Sequence, residues 1–96
     1  MTSKQRAYLK GIAMKTDPIM QIGKATLTPE ITKSVDEALE ARELIKINVL
    51  KNCVAEPREM AEILSERTRS EVVQVIGRRI VLYRESATKK QIELPK

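Results

Sequence analysis

The chain has no histidine, no tryptophan and no phenylalanine, and one cysteine, Cys53, among its 96 residues. Each scarcity removes a class of function. With no histidine and a single thiol there is no ligand set for a zinc site and no base for Ser–His or Cys–His catalysis. A lone cysteine also forbids an intrachain disulfide, which fits a reducing compartment. Cys53 follows an apolar strand and reads as a small buried residue, not a reactive thiol. Tyr8 and Tyr83 are the only aromatics, too few for a base-stacking platform like that of an RRM or OB-fold. The three glycines, Gly11, Gly23 and Gly77, form neither a Walker-type loop nor a dinucleotide fingerprint, so nucleotide hydrolysis is excluded. No apolar run approaches the ~20 residues of a membrane span. The opening Met1–Arg6 leads into no apolar h-region and reads as a cytoplasmic N-terminus. The chain therefore reads as a protein that is not an enzyme and takes no cofactor or metal.

What is present is charge, and it is sorted. Residues 1–27 carry five basic and one acidic side chain, net +4; residues 28–66 carry five and nine, net −4; residues 67–96 carry eight and three, net +5. A basic beginning and end around an acidic middle implies two electrostatic faces. A hydrophobic fraction of 42% in a chain this short predicts one domain over 1–96, with one modest core.

Seven elements are predicted. A helix over about 3–15, capped by Ser3, sets Gln5, Leu9, Ile12 and Ala13 on one side and Lys4, Tyr8, Gly11 and Lys15 on another. Asp17-Pro18 stops it, and Ile19–Ile22 is a short strand ending at Gly23. Thr28 as N-cap, Pro29 at the first helical position and Glu30 in the first turn start a second helix. Its apolar face is Ile31, Val35, Ala38 and Leu39; Lys33, Asp36, Glu37 and Glu40 read as facing water. Leu44–Leu50 alternates as a strand, with Ile45, Ile47 and Val49 on one face. Pro57 opens a third helix with Met60, Ile63, Leu64 and Ala61 inward and Glu59, Glu62 and Glu66 outward. Val72–Ile76 and Ile80–Tyr83 form a hairpin through Gly77-Arg78-Arg79, of the II′ kind. Residues 85–96 read as a partly ordered tail with a brief strand-like Ile92–Leu94. Strands separated by helices imply parallel pairing, and the hairpin adds an antiparallel pair. The fold class is α/β: a small mixed four-stranded sheet with helices, preceded by an N-terminal helix.

Gly23-Lys24-Ala25-Thr26 joins strand to helix with a lysine at its tip. Backbone N–H groups, a positive helix end and Lys24 together suit one phosphate of a polymer; from the turn alone an ordinary solvated connector is the favoured reading. Arg78, Arg79 and Arg84 lie at element ends, where arginines can reach a phosphate backbone. Lys4 and Lys15, on the side that holds Tyr8, add a basic stripe on the first helix, and Lys10 is a further candidate RNA-binding residue there.

Three stretches resemble the CRM domain family, named for chloroplast RNA splicing and ribosome maturation, in its stand-alone bacterial form. They are Lys10-Gly11-Ile12-Ala13, the loop Ile22–Thr28, and Val73–Arg84 with its closing G-x-x-x-V-L-Y-R pattern. Arg42–Lys46 matches a fourth, "HELIK"-like stretch of the family. The family loop is GxxG, and Thr26 stands where its second glycine would be. The resemblance implies a core similar to the C-terminal domain of bacterial translation initiation factor three. It implies RNA binding through Gly23, Lys24, Ala25 and Thr26 with the basic residues above. For the stand-alone members it also implies association with precursor large ribosomal subunits, through ribosomal RNA and with ribosomal proteins nearby, as a monomer. The alternative, from a different class, is an adaptor whose acidic helix faces around Glu37, Glu40, Glu59 and Glu62 meet a basic protein.

Overall fold

Alternation along the second strand organises the molecule. In the computed structural model, which describes residues 1–23 and 27–96, β2 (Leu44–Val49) sends Ile45, Ile47 and Val49 to one side and Leu44 to the other, and all four are buried. A strand apolar on both faces needs cover on both. Helices α2 (Pro29–Arg42) and α3 (Pro57–Thr68) supply it on one side, where Val35, Leu39, Met60, Ala61 and Leu64 pack on the isoleucines. Helix α1 (Ser3–Ala13) covers the other side with Leu9 and Ala13 against Leu44, Val73, Val81 and Tyr83.

The sheet order is β1-β2-β4-β3. Strand β1 (Met20–Ile22) pairs parallel with β2, while β4 (Arg79–Tyr83) lies antiparallel between β2 and β3 (Glu71–Ile76). This is the mixed α/β sheet expected from the order of elements. The hairpin is a two-residue turn with Gly77 at φ +56° and Arg78 outside the positive-φ region, the II′ pattern. Thr28 caps α2 by accepting from the Ile31 N–H at 3.2 Å. Among the described residues, no helix is long and apolar enough to cross a membrane.

Four local expectations differ from the structure. Thr2, not Ser3, caps α1, and it does so in a reciprocal box: its hydroxyl accepts from the Gln5 N–H at 3.1 Å while the Gln5 side chain accepts from the Thr2 N–H at 3.0 Å. Ile63, assigned inward, is 39% exposed, because Met60, Ala61 and Leu64 already fill the side of α3 that meets the sheet. Glu40, expected to face water, is half-exposed and turned toward the tail. Its carboxylate accepts from the Ser86 and Thr88 hydroxyls at 2.8 and 2.6 Å and from the Thr88 N–H at 3.0 Å.

The fourth difference is the tail. The fully buried Glu43 accepts backbone N–H groups of Ser86, Gln91 and Ile92, each at 2.7 Å. Ile92 and Leu94 pack against the α1 cluster, and the Pro95 carbonyl accepts from the Gln5 side chain. Residues 85–96 contain no strand, yet they are latched at several points.

Candidate nucleic-acid interface

Parallel pairing of β1 with β2 brings their C-terminal ends to the same edge of the molecule. Gly23 therefore lies beside the loop that follows β2, and the Leu50 N–H donates to the Ile22 carbonyl at 2.8 Å. A Cβ on Gly23 would stand 3.3 Å from Leu50 Cδ1 and 3.6 Å from Asn52 Oδ1. The two chain segments approach closely at Gly23, and a side chain there would need Leu50 to give by a few tenths of an ångström. The turn residues Lys24, Ala25 and Thr26 lie outside the described residues. Helix α2 begins directly behind them.

The β3–β4 hairpin closes the same end, and its two arginines differ. Arg78, expected to reach outward, instead donates to the carbonyls of Val49 (3.2 Å), Leu50 (2.9 Å) and Cys53 (3.3 Å). Its own carbonyl accepts from the Val49 N–H at 2.7 Å. Arg78 is a brace for the 50–56 loop that supports Gly23. Arg79 is exposed and lies in register with Asn48 and Ile76.

Arg84 sits at the far end of β4, about 17 Å of strand away, where its backbone N–H donates to the Glu43 carbonyl. Its guanidinium holds the Asp36 carboxylate, the Asp36 carbonyl at 3.0 Å and the Thr68 carbonyl at 2.8 Å, with Glu40 at 3.7 Å. An arginine read as available is thus an internal clamp between α2 and the end of α3.

The lysines expected on the first helix are spread out: Lys4 and Lys10 lie on α1, which ends at Ala13 and not near 15, and Lys15 lies in the turn that follows. Arg6 donates to the Val72 and Val73 carbonyls, so α1 starts near the beginning of β3, and Met14 at its end borders Ile76 and Arg79. Lys15 is therefore at the Gly23 end and Lys4 at the other. Lys10 lies between them, half-buried beside Arg6, Arg58 and Glu62 in an open concavity of about 420 Å³ along β3. Tyr83 is buried under α1 and unavailable for stacking, while Tyr8 is half-exposed.

Two cations were not singled out from the sequence. Lys51 is exposed in the loop beside Gly23, and Lys46 sits half-buried on the sheet face, in register with Val81. The parallel order of β1 and β2 was the signal that could have found Lys51, since it fixes which loops share an end. Among the described residues, no group of three or more His, Cys, Asp or Glu side chains could hold a metal ion.

Comparison with known proteins shows the family and the fold. The family model of the CRS1 / YhbY (CRM) domain matches residues 1–84. The probable RNA-binding protein YqeI of Bacillus subtilis (strain 168) is 48% identical over 95 residues, covering 99% of each chain. An RNA-binding protein of Haemophilus influenzae is 32% identical over 96 residues, covering 100% of this chain and 96% of its own. The solution structure of the hypothetical protein SAV1595 from Staphylococcus aureus superposes with a TM-score of 0.82 at 54% identity, covering 99% of each chain. The family model ends at residue 84, and the three pairwise alignments extend over the latched tail.

Proposed function

The chain belongs to the CRS1 / YhbY (CRM) domain family, and from that premise we propose that it is an RNA-binding protein that does no covalent chemistry. Its target is ribosomal RNA in precursor large subunits during assembly in the cytoplasm, where it acts as a monomer. The observation that carries the reading is the convergence, at one end of the sheet, of the Gly23 turn, the 50–56 loop with Lys51 and the hairpin with Arg79. Such an end offers a bare backbone, a capped helix start and separate cations to a phosphodiester chain. Gly23, Lys24, Ala25 and Thr26 would hold backbone phosphate, with Lys15, Lys51 and Arg79 around them. The adaptor reading loses Glu40, which engages the tail and Arg84, and keeps Glu37, Glu59 and Glu62, which are exposed.

The test is a pair of measurements on wild type and Lys24→Glu. Wild type should sediment with large-subunit precursors at low salt and leave them as salt rises, as counterion release requires. Lys24→Glu should bind RNA at least about fivefold more weakly, since repulsion replaces attraction, with an unchanged melting temperature because an acid near a helix start is tolerated. Absence from ribosomal particles at every salt concentration would remove the assembly role. An unchanged affinity in the variant would reduce the turn to a connector.

A further inference from the structure

Among the described residues, none packs over half of the sheet face on the α1 side. Directly paired residues on neighbouring strands share a face, so the register places Gln21, Asn48, Arg79 and Ile76 in one row across all four strands. Lys46, Val81 and Gln74 form the adjacent row. Helix α1 and the tail cover the opposite half, over Leu44 and Tyr83. The helix ends at Ala13, and beyond it Met14 is 83% and Ile76 61% exposed. A concavity of about 120 Å³ opens there, bordered by Met14, Lys46, Gln74, Ile76 and Arg79.

The chemistry of this patch is unlike the rest of the surface. Ile76 and Met14 supply an apolar floor. Asn48 and Gln74 are primary amides, each with donors and an acceptor, and both are half-buried. Lys46 and Arg79, unlike Arg78 and Arg84, have no carboxylate or carbonyl partner among the described residues. No acidic residue borders the concavity. Cations without acids favour a polyanion; neutral amides over an apolar floor match base edges and faces better than carboxylates. The planar Arg79 guanidinium can also stack on a base. Half-buried amides beside a helix end cannot reach into a duplex, so the bases must be unpaired. The row spans about 14 Å at the usual strand spacing, comparable to other four-stranded sheets that take two or three bases. Gln21 lies two residues before Gly23, so the row ends beside the start of the proposed phosphate-binding turn.

We propose that this open half of the sheet face receives unpaired bases of single-stranded RNA, with Asn48 and Gln74 meeting base edges and Arg79 stacking or pairing. The proposal rests on the RNA-binding reading above and adds which part of the nucleotide is recognised, and where. The probes are a mixed-sequence single-stranded RNA of about 12 nucleotides and the blunt duplex of the same sequence. Asn48→Ala and Gln74→Ala should each weaken single-strand binding about threefold to tenfold, the range of one missing hydrogen bond. The salt slope should stay as in wild type, because no phosphate contact is removed. Duplex affinity and melting temperature should not move. In amide spectra, the single strand should shift Lys46, Asn48, Gln74, Ile76 and Arg79.

Wild-type affinity in the folded Asn48→Ala/Gln74→Ala double variant would overturn the proposal. So would a salt slope that falls with either substitution, which would make these residues phosphate contacts. If Lys24→Glu weakens both RNAs while the double variant is neutral, RNA binding stands and the base platform is wrong. If neither RNA binds wild type, both readings fall. Shifts at these amides with polyglutamate and none with the oligonucleotide would assign the face to an acidic protein instead.

Discussion

Arg78 and Arg79 are adjacent in sequence and have opposite surroundings. The Arg78 guanidinium satisfies three carbonyls of the 49–53 segment, whereas Arg79 meets no partner among the described residues. Arg78→Ala should therefore cost about 1–3 kcal/mol, because carbonyls in a half-buried loop lose their donor. Arg79→Ala should stay within about 0.5 kcal/mol. Urea denaturation separates the two; equal losses would contradict the brace. Arg69 offers a second test at this scale. It ends α3 in the left-handed region at φ 57°, ψ 40° and is exposed. Glycine adopts that conformation without the Cβ clash, so Arg69→Gly should raise stability by up to about 1 kcal/mol, read from the shift in melting temperature. The type of each arginine's neighbours was not legible in sequence. Position at an element end says that a side chain can reach outward, and only tertiary placement says which carbonyls lie nearer.

The elements themselves were largely legible. Period-2 alternation in Leu44–Val49, the Thr28-Pro29-Glu30 start of α2 and glycine-first chemistry at Gly77 are local signals, and the structure keeps each of them. The tail was not, because its order comes from two carboxylates more than forty residues away. Helical periodicity puts Glu40 with Asp36 and Glu37 on one face, but periodicity assigns a face and not a partner. Burial pushes the Glu43 carboxyl up, yet the N–H groups of Ser86, Gln91 and Ile92, with Lys90 nearby, outweigh it and hold it below its ordinary 4.5. Hydrogen bonds from the Thr88 and Ser86 hydroxyls, then from the Ala87 N–H, hold Glu40 at about 2. Groups lowered on folding stabilise fully above their unfolded value, and the contribution fades as pH falls through the folded one. The latch should thus be intact at neutral pH and release between about 4.5 and about 2. Amide exchange at Ala87 and Thr88, which donate to Glu40, should accelerate over that window, and exchange at Ser86, Gln91 and Ile92 should accelerate as acid protonates Glu43. Glu43→Gln, which places an NH2 among N–H donors, should open the tail at pH 7 and cost about 1–3 kcal/mol. Unchanged exchange at these amides in the variant would show that the apolar packing of Ile92 and Leu94 suffices.

At the scale of the molecule, the proposed RNA grip is one-ended. Gly23, Lys51, Arg79 and Lys15 gather where β1 and β2 end, while Lys4 and Arg84 are at the other end, Arg84 already paired with Asp36. Net charge alone would attract RNA to any basic patch, so sidedness is a separate and stronger claim. Removing one cation that touches phosphate should flatten the dependence of log affinity on log salt by about 0.7 for a single strand and about 0.9 for a duplex. Lys51→Ala and Arg79→Ala should each weaken binding, and Lys51→Ala should flatten the slope by about one such increment. Lys4→Ala removes the same charge from the far end and should leave both affinity and slope as in wild type. Long-range attraction between charges farther apart than about 10 Å is screened at 0.1 M salt, so titrations at that ionic strength compare local phosphate binding instead of overall charge. Equal losses for Lys4→Ala and Lys51→Ala would mean that RNA is held by the molecule's net charge and that the end of the sheet has no special part in it.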